Sequence, residues 1–344
     1  MEVKLVQHFL KFIRPGGTSR GILHEKETYF AFVMENNSYL GVAEFPLFRG
    51  LSADDFPDFE DQLHSAIDLW KKKQYQASDW EKYPSIRFGI EQLEKSLQAD
   101  HPFALYPSSF VQGEKKIPIN GLVWMGSLEF MQEQIDAKLA EGFSCIKLKI
   151  GALDFDAEYS LIQQLRKRYA VPDLTIRVDA NGAFANEEAL SKLERLAKLG
   201  LHSIEQPIQA GQWEHMAKLC GSTPLPIALD EELIGIHRPQ QKKELLSAIN
   251  PQYIILKPGL LGGFKASVEW IQLANSAQIG WWITSALESN IGLNAIAQWT
   301  ATLPIEGHQG LGTGGLFTNN PKGYLEVKNG YLEHRKLNRW ALNL

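Results

Sequence analysis

The sequence predicts an α/β protein, a (β/α)7β TIM-like barrel carrying an α+β capping domain. Three observations lead there. From about residue 117 onward, strand-like runs alternate with amphipathic helical patterns. Five charged residues, Lys149, Asp179, Glu205, Asp230 and Lys257, close successive strand-like runs at steps of 30, 26, 25 and 27 residues. A strand, its helix and two short loops fill roughly 30 residues, so each step is one βα unit and all five residues return to one edge of one sheet. The first hundred residues follow another plan, strands first and helices after.

In chain order, VKLVQHFLKF, TYFAFVME and YLGVAEF read as a small antiparallel sheet. The joining loop RPGGTSRG has the proline and glycines of a turn, and the segment Gly16 to Gly21 fits a hinged lid. DDFPDFEDQLHSAIDLWKKK and SIRFGIEQLEKSLQ follow as helices. The barrel strands are then GLVWM (121–125), CIKLKI (145–150), LTIRVD (174–179), HSIEQ (202–206), PIALD (226–230), YIILK (253–257), WWITS (281–285) and the weaker GHQG (307–310). SLEFMQEQIDAKLAEGF and NEEALSKLERLAKLG are the clearest helices between them, each ending near a glycine. A doubly wound open sheet would carry a glycine-rich nucleotide loop after its first strand, and none follows GLVWM. The expected division is a capping domain over 1–116, a barrel over 117–316 and a tail over 317–344. An Asn-Gly hairpin in that tail is expected to fold back onto the N-terminal domain.

Composition excludes several classes. The chain has 344 residues, 44% of them hydrophobic, enough for a large core, and a net charge of -5. Its one basic run, Lys71 to Lys73, reads as a solvated helix face, so nucleic acid is not an expected partner. No apolar run approaches the roughly 20 residues that span a bilayer. The N-terminus is too polar for a secretory signal, and Cys145 and Cys220 make no disulfide framework. A cytoplasmic protein acting on a small carboxylate substrate is expected.

The chemistry follows from alternation. In CIKLKI, Lys147 and Lys149 share the face opposite Ile146, Leu148 and Ile150, so both lysines point into the barrel. Burying two ammonium groups requires anions beside them, and the neighbouring strands end in Asp179, Glu205 and Asp230. Arg177 shares the inward face with Asp179, Asn181 lies in the loop beyond, and Glu231 flanks Asp230. Three carboxylates from three strands form an oxygen-only set suited to Mg²⁺, or to another hard divalent ion such as Mn²⁺. Lys257 stands across these acids from the Lys-x-Lys strand. Lysines on two faces of a metal-held carboxylate can remove an α-proton and stabilise the enediolate left behind.

The order Lys-x-Lys, Asp, Glu, Asp, Lys on consecutive strands after an α+β domain resembles the enolase superfamily, specifically its muconate-lactonizing subgroup. The segments TSRGIL (18–23), FRGLS (48–52), RVDANGAF (177–184), IEQP (204–207), LDEE (229–232), ILKPGLLGG (255–263), ITSALESNIGL (283–293) and HQGLGTGGLF (308–317) carry the likeness. They are most similar to the o-succinylbenzoate synthase branch of menaquinone biosynthesis. The resemblance implies Mg²⁺ on Asp179, Glu205 and Asp230, with Lys149 as the base, Lys257 as the cation opposite and Lys147 in support. It implies syn-dehydration of 2-succinyl-6-hydroxy-2,4-cyclohexadiene-1-carboxylate, with Thr284, Ser285 and Gly310 at the succinyl end and Asn181 beside the substrate. Arg20 in the lid loop would meet a carboxylate, and Glu288 would orient groups around Lys257. N-acylamino acid racemase and dipeptide epimerase are the rivals in the superfamily. The epimerases usually carry Asp-x-Asp after the eighth strand, where this chain has Gly312 and Gly314. An inactive barrel serving as a binding protein is the rival of another class, and the complete set of charged strand ends argues against it.

Overall fold

In a computed structural model, residues 2–18, 21–36 and 38–335 are described. Arg20, expected at the substrate, lies outside them. The N-terminal sheet is antiparallel, in the order β1 (Glu2–Thr18), β2 (Gly21–Glu35), β3 (Ser38–Phe45). The RPGGTSRG segment is not a plain turn. The β1–β2 pairing resumes inside it, from Gly16–Leu23 to Thr18–Gly21, after a register shift between Lys11 and Gly16. Pro15 has no N–H to give the ladder, and the extra residues on the β1 side are absorbed there. Gly16 and Gly17 then lie flat on the barrel, where a Cβ on Gly17 would come within 2.4 Å of the Met125 carbonyl. Close approach therefore accounts for these two glycines.

Helices α1 (Phe59–Lys71) and α2 (Pro84–Gln98) cover this sheet. Pro84 fits the first turn of α2, where its missing N–H costs nothing. A short strand, β4 (Ile117–Pro118), precedes the barrel.

The barrel alternates as its spacing predicts. Its elements are β5 (Gly121–Val123), α3 (Leu128–Ala140), β6 (Cys145–Lys149), α4 (Phe155–Arg168), β7 (Thr175–Asp179), α5 (Asn186–Ala197), β8 (Ser203–Glu205), α6 (Trp213–Ser222) and β9 (Ile227–Leu229). There follow α7 (Pro239–Ile249), β10 (Tyr253–Leu256), α8 (Pro258–Leu261), α9 (Gly263–Ser276), β11 (Gly280–Ile283) and α10 (Asn290–Thr300). Strands β5 to β11 form one parallel sheet in sequence order. The eighth strand shrinks to two residues, Gln309 bridging Ile119 and Gly310 bridging Thr284, and those bridges close the ring. Ile146, Leu148, Ile176, Val178, Ile204 and Ile254 turn outward under the helices and are fully buried, each such side chain contributing about 1.5–3 kcal/mol.

Two capping-domain carboxylates hold the layers together. Glu44 of β3 accepts from the backbone N–H groups of Ser289 and Gly292 at the start of α10. Glu91 of α2 accepts from Phe264 and Lys265 at the start of α9. An acid at a helix N-terminus satisfies free N–H groups and the helix dipole together.

The tail divides its contacts. Leu316 and Thr318 bond back to Ile13 and Lys11 of β1. The Asn-Gly turn is present, with Asn329 and Gly330 both left-handed between β12 (Leu325–Lys328) and β13 (Tyr331–His334). That hairpin pairs with Ile117–Pro118 at the foot of the barrel rather than with the N-terminal sheet. The unpaired edge of β4 offers it a ladder, whereas β2 is already flanked on both sides.

Candidate active site

The C-terminal ends of β6 to β10 bring the expected residues together. Lys149, Asp179 and Glu205 are paired across β6, β7 and β8 at one level. Asp230 follows β9 and Lys257 follows β10. All five are buried or nearly so, and Asp179, Glu205 and Asp230 are at most 2% exposed. Lys147 Nζ lies 2.9 Å from Asp179 Oδ2 and also forms an ion pair with Glu205. Lys149 Nζ donates to Asp179 Oδ2 at 2.7 Å and to Asn181 Oδ1 at 2.7 Å. Lys257 pairs with Asp230. Sheet order puts Lys149 and Lys257 on opposite sides, with β7, β8 and β9 between them.

The electrostatics divide the three acids. Burial alone would raise the Asp179 carboxyl, but the ammonium groups of Lys147 and Lys149 outweigh it and hold it well below the usual range. Burial likewise opposes the ionised Asp230, and Lys257 and Lys147 overcome it. Glu205 goes the other way. Burial and the charges of Asp179 and Asp230 push it well above the usual range, and neither of its oxygens has a hydrogen-bond partner among the described residues. Its contact with Lys147 is an ion pair without hydrogen-bond geometry. Burial would lower Lys147 and Lys257, but the surrounding carboxylates keep both raised.

The donor set fits a hard divalent cation. It is all oxygen, it comes from three adjacent strand ends, and Glu205 is a buried carboxylate short of partners. Among the described residues no three Asp, Glu, His or Cys side chains are already gathered as a metal cage. An entering ion would take the oxygens that Lys147 now occupies.

Above these groups a cavity opens between barrel and cap. Lys147, Lys149, Asn181, Lys257, Thr284, Ser285 and Gly310 line it. Asn181 proves to be a bridge, since its amide donates to Glu231 Oε1 at 2.9 Å while its oxygen holds Lys149. The Ser285 hydroxyl is already engaged by Thr313 Oγ1 and the Leu287 N–H. Gly310 leaves room for Thr284, whose Oγ1 would lie 2.4 Å from a Cβ there. Arg177 sits deeper, stacked 4.1 Å over Trp282 and bonded to the His308 carbonyl, so it braces the barrel interior. Glu288 lies against Gly259, two residues after Lys257, but its oxygens do not bond Lys257.

Sequence reasoning missed the apolar wall. Leu23, Phe48 and Leu51 come from the capping domain, and Leu122, Trp124 and Leu287 from the barrel. Alternation in GLVWM gave a usable signal for Leu122 and Trp124, which share the inward face. Nothing local in the sequence ties Phe48 or Leu51 to a strand end a hundred residues away.

Comparison with known proteins agrees with this geometry. The family model described as enolase C-terminal domain-like matches residues 130–336. The chain belongs to the enolase superfamily. Within it, the chain is 45% identical to the o-succinylbenzoate synthase of Desulfotalea psychrophila, over 96% of this chain and 98% of that protein. The crystal structure of MenC from the same organism superposes with a TM-score of 0.82 at 42% identity, covering 97% of this chain and 99% of that one. A dipeptide epimerase from Enterococcus faecalis, complexed with Mg and a dipeptide, shares the fold at a TM-score of 0.80 and 17% identity, covering 97% and 96%. No helix among the described residues is long and apolar enough to cross a membrane.

Proposed function

We propose that this chain is an o-succinylbenzoate synthase of menaquinone biosynthesis. It is a carbon–oxygen lyase that removes water from 2-succinyl-6-hydroxy-2,4-cyclohexadiene-1-carboxylate. The observation that carries the reading is the placement of Lys149 and Lys257 on opposite sides of one cavity, across three acidic strand ends. The near full-length likeness to a synthase narrows the substrate.

Asp179, Glu205 and Asp230 would hold a divalent cation, Mg²⁺ or Mn²⁺, which when bound supplies Lewis acidity to the substrate's ring carboxylate. Lys149 Nζ takes the proton from the ring carbon bearing that carboxylate. Lys257, kept cationic by Asp230, faces the enediolate charge from the other side. Lys147 supports the carboxylate's position. The electron pair of the broken C–H bond forms the new ring double bond, the neighbouring C–O bond breaks, and Lys149 returns its proton to the departing hydroxyl as water. The ring becomes aromatic, which makes the step strongly favourable. Asn181 orients Lys149, while Thr284, Ser285 and the backbone near Gly310 border the succinyl end.

Asp179, Glu205 and Asp230 face Lys147, Lys149 and Lys257, and a divalent cation would add positive charge that a carboxylate substrate offsets. A capping domain over 1–116 and a barrel over 117–316 belong to this reading, with the tail joining both, as does a cytoplasmic location.

Turnover of the diene by purified protein, with and without Mg²⁺, tests the proposal. Rapid metal-dependent aromatisation, abolished in Lys149→Ala, is the expected result. A folded, metal-loaded protein that leaves this substrate untouched would sink the synthase reading. Racemisation of N-acylamino acids, which uses lysines on both faces of the α-carbon, would then be assayed next.

A further inference from the structure

A second buried charge cluster lies between cap and barrel, behind the wall of the cavity. Lys26 of β2 is 4% exposed, and its Nζ is buried without a hydrogen-bond partner among the described residues. Its ammonium stands 5.8 Å from the centre of the Phe48 ring, and Phe48 lines the cavity. Across the interface Glu288 is fully buried. One of its oxygens accepts the Ala286 N–H at 2.7 Å, and the other has no hydrogen-bond partner among the described residues.

Glu44 lies beside both, but its own oxygens are taken. Thr28 Oγ1 and the N–H of Ser289 use one, and Ser289 Oγ and the N–H of Gly292 use the other. The two acids abut at Gly292, where a Cβ would come 2.7 Å from Glu44 Oε2 and 3.0 Å from Glu288 Cβ. Lys26 thus faces two buried carboxylates, and Glu288, which lacks the four hydrogen bonds that hold Glu44, is the one that depends more on its charge.

Glu288 in turn shapes the pocket. Ala286 and Leu287 line the cavity, and Leu287 is held left-handed at a φ of 63°, which a leucine adopts only under constraint. The turn is pinned at two N–H groups, by Glu288 at Ala286 and by Ser285 Oγ at Leu287. Without its cation, a buried Glu288 would take up a proton or swing toward water. Either change loosens its hold on Ala286.

We propose that Lys26 is a positioning residue for substrate binding: through Glu288 it fixes the Ala286–Leu287 turn, so that the capping sheet sets the shape of the pocket wall. Its kinetic consequence rests on the synthase reading, whereas its structural consequence does not.

The test compares Lys26→Met with the double variant Lys26→Met/Glu288→Gln, by steady-state kinetics and by amide hydrogen exchange at 286–288. In Lys26→Met, KM for the diene is expected to rise about tenfold with kcat within about threefold. Exchange at Leu287 should quicken by about tenfold or more. The double variant, which removes both charges and keeps an acceptor for Ala286, should return both readings to within about threefold of the wild type. Unchanged KM and exchange in a folded Lys26→Met protein would overturn the proposal, as would a double variant that recovers neither. Failure of both variants to fold would assign the pair to the fold alone and overturn it too. If the wild type does not turn over the diene, the function reading fails by itself and the exchange measurement decides the positioning role.

Discussion

Lys149 and Asn181 are joined by a hydrogen bond of 2.7 Å from Nζ to Oδ1, and the Asn181 amide passes the contact to Glu231. The lysine is thus aimed by a chain of side chains from β6, the loop after β7 and the turn after β9. Asn181 holds a φ of 45°, a conformation that asparagine tolerates and glycine adopts freely. Asn181→Gly therefore deletes the side chain without backbone strain. We expect kcat to fall about 10–100-fold, the usual cost of losing a group that orients a catalytic one. KM should change little, and the thermal midpoint should move by no more than a few degrees. An unchanged kcat would show that Asp179 alone aims Lys149.

The site was legible because strand geometry is periodic. A lysine two residues from another must share its face, and a strand ending every 25 to 30 residues must return to one edge. Those two facts place Lys147, Lys149, Asp179, Glu205, Asp230 and Lys257 without coordinates. They are silent about groups brought in by tertiary packing. Phe48 and Leu51 reach the cavity through the docking of a separate domain, which no local period records. The hairpin turn at Asn329–Gly330 was legible for the same reason that its docking partner was not: the turn is local chemistry, and the edge of β4 is two hundred residues away in the chain. Glu288, which the resemblance put beside Lys257, spends one oxygen on the Ala286 N–H of its own turn, a contact that strand periodicity does not predict.

Glu205 should be a residue that costs stability and serves function. Its carboxylate is buried beside Asp179 and Asp230, and burial and those charges push it well above the usual range against the ion pair with Lys147. Glu205→Gln removes an acid that the site penalises while Lys147 keeps Asp179 as a partner, so the metal-free protein should become more stable by roughly 1–3 kcal/mol. The same change deletes a metal oxygen. Titration with Mg²⁺ should raise the melting temperature of the wild type by mass action and leave the variant unmoved. A variant that melts lower than the wild type without metal would contradict this reading.

Glu44 ties the capping sheet to the start of α10 through three groups of that helix, the Ser289 N–H and hydroxyl and the Gly292 N–H. Glu44→Gln keeps the shape but turns an amide donor toward groups that themselves donate. The cost should be about 2–4 kcal/mol by urea unfolding, from lost charge-assisted bonds and the helix dipole. A loss below about 0.5 kcal/mol would mean that apolar packing alone seats the cap.

Asp54 gives the clearest pH dependence. It is fully buried and caps α2 from a distance, its Oδ2 accepting from the Ser85 N–H at 2.8 Å and its Oδ1 from the Ser85 hydroxyl at 3.1 Å. Burial pushes its carboxyl up to about 7 from an ordinary 3.8, more than the Ser85 bonds bring it down. Between those values the folded protein holds a proton that the unfolded chain has released. The stabilising contribution of that proton is complete below about pH 4 and is lost as pH rises through 7. The full swing is at most about 4 kcal/mol, at about 1.4 kcal/mol for each unit. Asp54→Asn retains an acceptor for the Ser85 N–H and carries no charge at any pH. Urea unfolding of both proteins at pH 5 and pH 8 isolates this group from the other buried acids. The advantage of the variant over the wild type should be roughly 2–3 kcal/mol larger at pH 8 than at pH 5. An equal gap at the two pH values would mean that Asp54 is ionised throughout, with the dipole of α2 outweighing its burial.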